Sequence, residues 1–211
     1  MTDEFGIEPK GRRRVAWWAA ALTLLVVVVV VAIVQDRSAD PEGALLTGAD
    51  FGAGYEVAVL TPDQVARTDT GLPAGIEPAQ CTGLLRARPE PVTTADAVSA
   101  RRDGAAYLEV VMPADGVRAW DADRLDEMVG TCATTTFDEG TVEFSRLDAP
   151  ADGYAFAARV SSGDGVVTVG VAMARVGEHV VVLTGIARGD LDRREFARLT
   201  RVAGEKVSAH L

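Results

Sequence analysis

The chain is short of the residues that carry most enzyme chemistry. It holds only two histidines, His179 and His210, and two cysteines, Cys81 and Cys132, among 211 residues. None of its six serines lies in a G-x-S-x-G turn, so a serine nucleophile would have to find its base in His179 or His210. His179 opens an expected strand and His210 is the penultimate residue; both read as surface histidines. Zinc sites draw on His and Cys at short spacing, and here both types are scattered. Asp121-x-Asp123 begins like a calcium loop, yet the glycine position holds Asp126 and the twelfth position Cys132, so helix capping accounts better for those acids. Gly48, Gly52 and Gly54 have no Gly-Lys-Ser/Thr sequel, which removes a phosphate loop. No metal and no cofactor is expected.

Aromatic residues make up 6% of the chain, too few to furnish a sugar-stacking cleft, although its many acids leave carboxylate pairs available. Tyr55, Tyr107, Trp120, Tyr154 and Phe156 could line a ligand pocket, and each also falls where a core aromatic is expected. No internal repeat and no second linker appears. The expectation is therefore a non-enzyme with one folded domain.

What is abundant is negative charge, unevenly placed. Residues 1–34 carry a net +1 and residues 35–211 a net −11, out of a total of −10. A domain with that excess repels phosphate backbones, so nucleic acid is not an expected partner. Solubility explains the same charge.

Val15 to Val34 is a run of twenty residues without charge, interrupted only by Thr23. As a helix rising about 1.5 Å per residue it would span roughly 30 Å, the thickness of a bilayer's hydrocarbon core. Lys10, Arg12, Arg13 and Arg14 precede it, and Trp17 and Trp18 sit at that basic end. The positive-inside rule then places the N-terminus in the cytoplasm and the remainder outside. A cleaved signal peptide competes, but the run exceeds the usual apolar length and no small-x-small site follows. The expected organisation is a cytoplasmic tail (1–14), a single-pass signal-anchor helix in the lipid bilayer (15–34), a linker (35–43) and an extracytoplasmic domain (44–211). Ala16 and Ala20 form a small-xxx-small pair that could bring two spans together.

Within that domain the pattern predicts a strand at 55–60, a short helix from Pro62 to Arg67, and irregular chain from 71 to 91 where prolines recur. Asp103-Gly104 marks a hairpin between strands at 95–101 and 105–112. Asp121 can cap a helix to about Val129, with Leu125, Met128 and Val129 on its buried stripe. Strands at 133–138, 141–147, 153–161, 165–175 and 178–187 follow, the last three as a meander. A final helix begins at Asp190 or Asp192, with Phe196, Leu199, Val202, Ala203 and Val207 near one face. The fold class is α+β, a largely antiparallel sheet with packed helices.

Cys81 and Cys132 both fall outside the cytoplasm in this reading, where disulfides persist, and the expected state is one bridge between them. Closing that loop stabilises the fold by roughly 4 kcal/mol in the chain-entropy model. Two buried free thiols are the competing reading.

The basic tail, the anchor, LLTGAD at 45–50, PAQC at 78–81, a second cysteine after an amphipathic helix and ARVGEHVVVLT at 174–184 together resemble actinobacterial extracytoplasmic domains. The resemblance is to the PknH-like extracellular sensor domain and its membrane-protein and lipoprotein relatives, over roughly residues 44–211. It implies an antiparallel sheet with helices, disulfides and a cleft that takes a ligand. Cys81 and Cys132 match one cysteine pair of that family; a second pair and a kinase domain have no counterpart here. The function implied is a non-catalytic, sensor-like domain binding a small ligand or envelope component. The alternative is an accessory or structural subunit of an envelope protein complex, and an envelope hydrolase ranks below both.

Overall fold

The computed structural model describes residues 43–61, 64, 81, 95–114, 122–150 and 152–210. The expected tail, span and nearly all of the linker lie outside these residues. So do the irregular stretch 71–91 apart from Cys81, the helix expected at 62–67 apart from Gln64, and Trp120 and Asp121. Among the described residues no helix is long and apolar enough to cross a membrane.

Eight strands form one antiparallel sheet. They are β1 (Glu56–Leu60), β2 (Asp96–Arg102), β3 (Ala105–Pro113), β4 (Thr134–Phe137), β5 (Gly140–Arg146), β6 (Gly153–Ser162), β7 (Gly165–Val176) and β8 (His179–Arg188). Their spatial order is β1-β2-β3-β8-β7-β6-β5-β4. Two meanders thus lie side by side, β1 to β3 and β4 to β8, joined where β3 pairs β8 from Ala105↔Ala187 to Pro113↔His179. The sharp β2–β3 turn needs a left-handed residue, which Gly104 supplies at φ 73°.

Helix α1 (Gly48–Phe51) and helix α3 (Arg193–His210) cover one face, and helix α2 (Ala122–Thr131) packs on the other. Strand alternation sorts the side chains accordingly. Val98, Ala100, Tyr107, Val111, Ala155, Ala172, Val181 and Leu183 join Phe196, Leu199, Ala203 and Val207 of α3 in the main core. Tyr154 and Phe156 point the opposite way and pack with Val129 of α2, Phe144, Val171 and Met173.

Small residues set how close α3 comes to the sheet. Gly170 and Gly185 are register partners in β7 and β8, and the Phe196 ring lies over both. A Cβ at Gly185 would fall 2.8 Å from Tyr107 Cε1 and 3.0 Å from Phe196 Cδ2. A Cβ at Gly170 would meet Leu191 Cδ2 at 2.5 Å and Phe196 at 3.2 Å. The helix starts because Asp192 Oδ1 accepts the backbone N–H groups of Arg194 and Glu195, each at 3.0 Å.

Cys81 and Cys132 are joined in a disulfide with Cα atoms 5.8 Å apart, and both are fully buried against Phe144. Cys81 lies in the connection from β1 to β2, and Cys132 lies between α2 and β4. Since β1 and β4 are the two edges of the sheet, the bridge ties the connection beginning at one edge to the entry of the other.

The structure departs from the expected elements in two places. Helix α1 was read only as glycine-bearing chain ahead of a strand; four residues are too few for a hydrophobic period, and Thr47 with Asp50 closes the turn instead. Helix α2 continues two residues past Val129, to Thr131. Val202, expected near the same face as Phe196, Leu199, Ala203 and Val207, is half-buried and packs against that cluster.

Two measurements check this packing. Gly185→Ala should lower unfolding free energy by about 1–3 kcal/mol through overpacking. Gly163→Ala, where a Cβ meets nothing within 4 Å, should stay within about 0.5 kcal/mol of the parent in the same urea titration. Reducing the Cys81–Cys132 bridge should lower the urea midpoint, a loss of roughly 4 kcal/mol of unfolding free energy if loop closure dominates.

Candidate functional site

The sheet face under α3 carries two polar clusters within an otherwise apolar core. The first is built on Glu109, which occupies an inward position of β3 between Val98 of β2 and Leu183 of β8. It is 0% exposed. Its Oε2 accepts the backbone N–H of Leu46 at 2.7 Å, while Oε1 has no hydrogen-bond partner. Burial pushes the Glu109 carboxyl up to about 7 from an ordinary 4.5, against the opposing pull of the Leu46 N–H and the Lys206 charge.

Lys206 reaches the same segment from α3. Its ammonium donates to the Leu45 carbonyl at 2.8 Å and to Asp50 Oδ2 at 2.6 Å. Asp50 Oδ2 also accepts the Thr47 N–H at 2.7 Å and the Thr47 hydroxyl at 2.8 Å. Burial would raise Asp50, but Lys206 and the Thr47 donors outweigh it and hold the carboxyl below its usual value. The residues from Leu45 to Phe51 thus form an N-terminal arm fastened by Glu109 beneath and Lys206 beside it.

The second cluster is centred on Glu195, in the first turn of α3. Its Oε2 accepts the Tyr55 and Tyr107 hydroxyls, each at 3.2 Å, and an Arg102 N–H at 2.9 Å. The Arg102 guanidinium lies 4.7 Å from the centroid of the Tyr55 ring, a cation–π geometry. Burial, then the Glu195 charge, push the Tyr55 phenol up to about 12 and raise Tyr107 as well. Both phenols therefore remain donors at neutral pH, and the cluster is a satisfied anchor for α3.

The five aromatics considered as one pocket lining are not brought together. Tyr55 and Tyr107 pack with Phe51 on the α3 face, whereas Tyr154 and Phe156 lie on the α2 face. One-residue parity along β3 and β6 separates them, and Trp120 lies outside the described residues. A depression of about 80 Å³ is lined by Arg146, Leu147, Asp148, Arg193, Phe196 and Ala197. It is well below the roughly 300 Å³ at which pockets for drug-sized ligands begin. Among the described residues, no group of three or more His, Cys, Asp or Glu could hold a metal ion. His179 opens β8 and His210 closes α3, where its Nδ1 lies 2.9 Å from the Lys206 carbonyl. Asp126, at the glycine position of the would-be calcium loop, instead pairs with Arg146 at 3.0 Å.

Glu109, Lys206, Asp50 and Glu195 were not singled out from the sequence. Glu109 did leave a signal there: it is the one charge in Tyr107–Met112, at the same parity as Tyr107 and Val111.

The fold as a whole has solved counterparts. An uncharacterised Mycobacterium smegmatis protein, the Rv0999 ortholog, superimposes with a TM-score of 0.51 at 14% identity, covering 81% of this chain and 97% of that one. The extracellular domain of PknH from Mycobacterium tuberculosis superimposes with a TM-score of 0.50 at 13% identity, covering 81% of this chain and 99% of that domain. At these identities the likeness is one of fold. No family profile and no curated protein sequence matches the chain.

Glu109 makes stability pH-dependent in a defined direction. Its folded form holds a proton more tightly than the unfolded chain, so its contribution is intact below about pH 4.5 and is lost as pH rises to about 7. The loss is on the order of 3 kcal/mol. Urea unfolding at pH 4 and pH 8 should show this decrement in the parent and not in Glu109→Gln; an equal decrement in both would refute the assignment.

Proposed function

We propose that the chain is a membrane-anchored, extracytoplasmic, sensor-like domain that binds a small ligand or an envelope component. The carrying observation is the fold, shared with the extracellular domain of PknH over nearly all of that domain. The uncharged run from Val15 to Val34 behind a basic cluster supports the anchor, with residues 1–14 inside the cell and 44–211 outside. The buried disulfide agrees with an oxidising compartment. Binding fits the class better than catalysis does, since the ionisable groups beneath α3 are engaged with one another and with the backbone and serve to hold the fold.

The edges of the sheet favour a second reading, an accessory subunit that engages another envelope protein. β1 and β4 each have one unpaired side among the described strands, and Val59 on β1 is 41% exposed. A free edge of this kind accepts an added strand.

Full-length protein in cell-derived membranes tests the reading in two steps. Externally added protease should degrade residues 44–211 in intact spheroplasts, and protection of that domain would reverse the topology. Purified in detergent, the same chain should show a rise in melting temperature with a lipid or glycan fraction from the envelope. No shift with any fraction, together with a cross-linked heterologous partner in native membranes, would replace the sensor reading with the accessory one.

A further inference from the structure

We propose that Glu109 is a proton-binding site whose occupancy fastens the N-terminal arm, Leu45–Phe51, to the sheet, and whose ionisation loosens that arm. The argument begins with unequal satisfaction. One carboxyl oxygen holds the Leu46 N–H at 2.7 Å and the other has no partner, in a side chain with no solvent exposure. A neutral carboxyl keeps the Leu46 bond and leaves no net charge in the core. An ionised one leaves a buried charge with a single donor, a state that the surroundings must relieve.

The groups able to relieve it are few. Asp50 on α1 repels the Glu109 charge, and Lys206 on α3 attracts it. The flanking strands present Val98 and Leu183, which offer neither charge nor hydrogen bond. Further along the same face, Tyr55, Tyr107, Glu195 and Arg102 are engaged with one another. Lys206 is therefore the available cation, and its ammonium already holds the arm through Leu45 O and Asp50. Relief comes when Lys206 turns from the arm toward Glu109, or when water enters between the arm and β3. Both routes remove contacts from residues 45–50 and leave the strands paired.

The arm is also where chain from residues 1–42 joins the fold. Gly43 lies so close to the His210 ring that a Cβ there would be 2.5 Å from it, which pins the entry beside the end of α3. A loosened arm changes how far the domain can move from the preceding chain. Its consequence at a membrane rests on the anchor proposed above; the latch itself does not.

Hydrogen–deuterium exchange on the full chain in lipid nanodiscs at pH 5 and pH 8, corrected for intrinsic rates, tests the proposal. Protection of the Leu45–Phe51 peptide should fall at least tenfold more than that of β7 and β8 peptides on going to pH 8. Glu109→Gln should abolish the difference, and His210→Gln, which removes the imidazole lying against Gly43, should retain it. An arm that tracks β7 and β8 in the parent overturns the proposal, as does a step that survives Glu109→Gln or disappears with His210→Gln. Should Glu109→Gln fail to fold, carbon-13 carboxyl titration of the parent decides. A Glu109 resonance titrating in the ordinary carboxylate range overturns the proposal, and one titrating near neutrality supports it.

Discussion

The seating of Phe196 over the paired glycines of β7 and β8 fixes the distance between α3 and the sheet. Much of what distinguishes this face follows from that spacing. With alanine floors at Ala155, Ala172 and Ala187 around the notch, Leu199, Ala203 and Val207 reach the sheet along successive turns of the helix. The same spacing brings Glu195 within reach of two phenols from β3 and the chain before β1, and Lys206 within reach of the arm. A larger residue in the notch would lift the helix and disturb both polar clusters as well as the apolar contacts, because all are read off one rigid element.

The two clusters beneath α3 illustrate how a carboxylate on this face can serve opposite ends. Glu195 has three donors, one of them charged, and lies near the start of a helix where negative charge is favoured. Glu109 has one donor and lies among apolar neighbours in mid-sheet. The first secures the helix through those three donors. The second leaves a stability term that depends on a proton, in the part of the domain nearest the expected tether.

Much of the fold was legible because strands announce themselves by alternation and turns by composition. Asp103-Gly104 located the β2–β3 hairpin, the stretch from Gly153 to Arg188 separated into three strands, and Phe196, Leu199, Ala203 and Val207 marked the buried stripe of α3. The resemblance in LLTGAD, PAQC and the late strand agrees with the solved fold it implied. Less legible was anything decided by pairing across long sequence distance. The β3–β8 junction leaves no local mark, and the aromatic residues grouped as one lining proved to face opposite sides of the sheet. Helix α1 was within reach through Thr47-x-x-Asp50, a capping spacing that outweighs the absence of a hydrophobic period. The site at Glu109 required knowing both the strand boundary and what α3 places above it.

The junction of β3 with β8 also bears on the order in which the molecule can be assembled. During synthesis the first meander emerges with the outer side of β3 unpaired, and its mate arrives only after more than sixty further residues have been made. Until then β3 offers open backbone groups and an apolar row to any passing chain, and a search over that separation is slow compared with closing a hairpin. Formation of the Cys81–Cys132 bond precedes synthesis of β8 if oxidation is prompt, tying the chain ahead of β2 to the entry of β4 while the β3–β8 separation stays as long as before. A link that ties the β1–β2 connection to the entry of β4 in the finished protein would then act earlier as a kinetic guide, holding the first meander near the start of the second while the last strand is still to come.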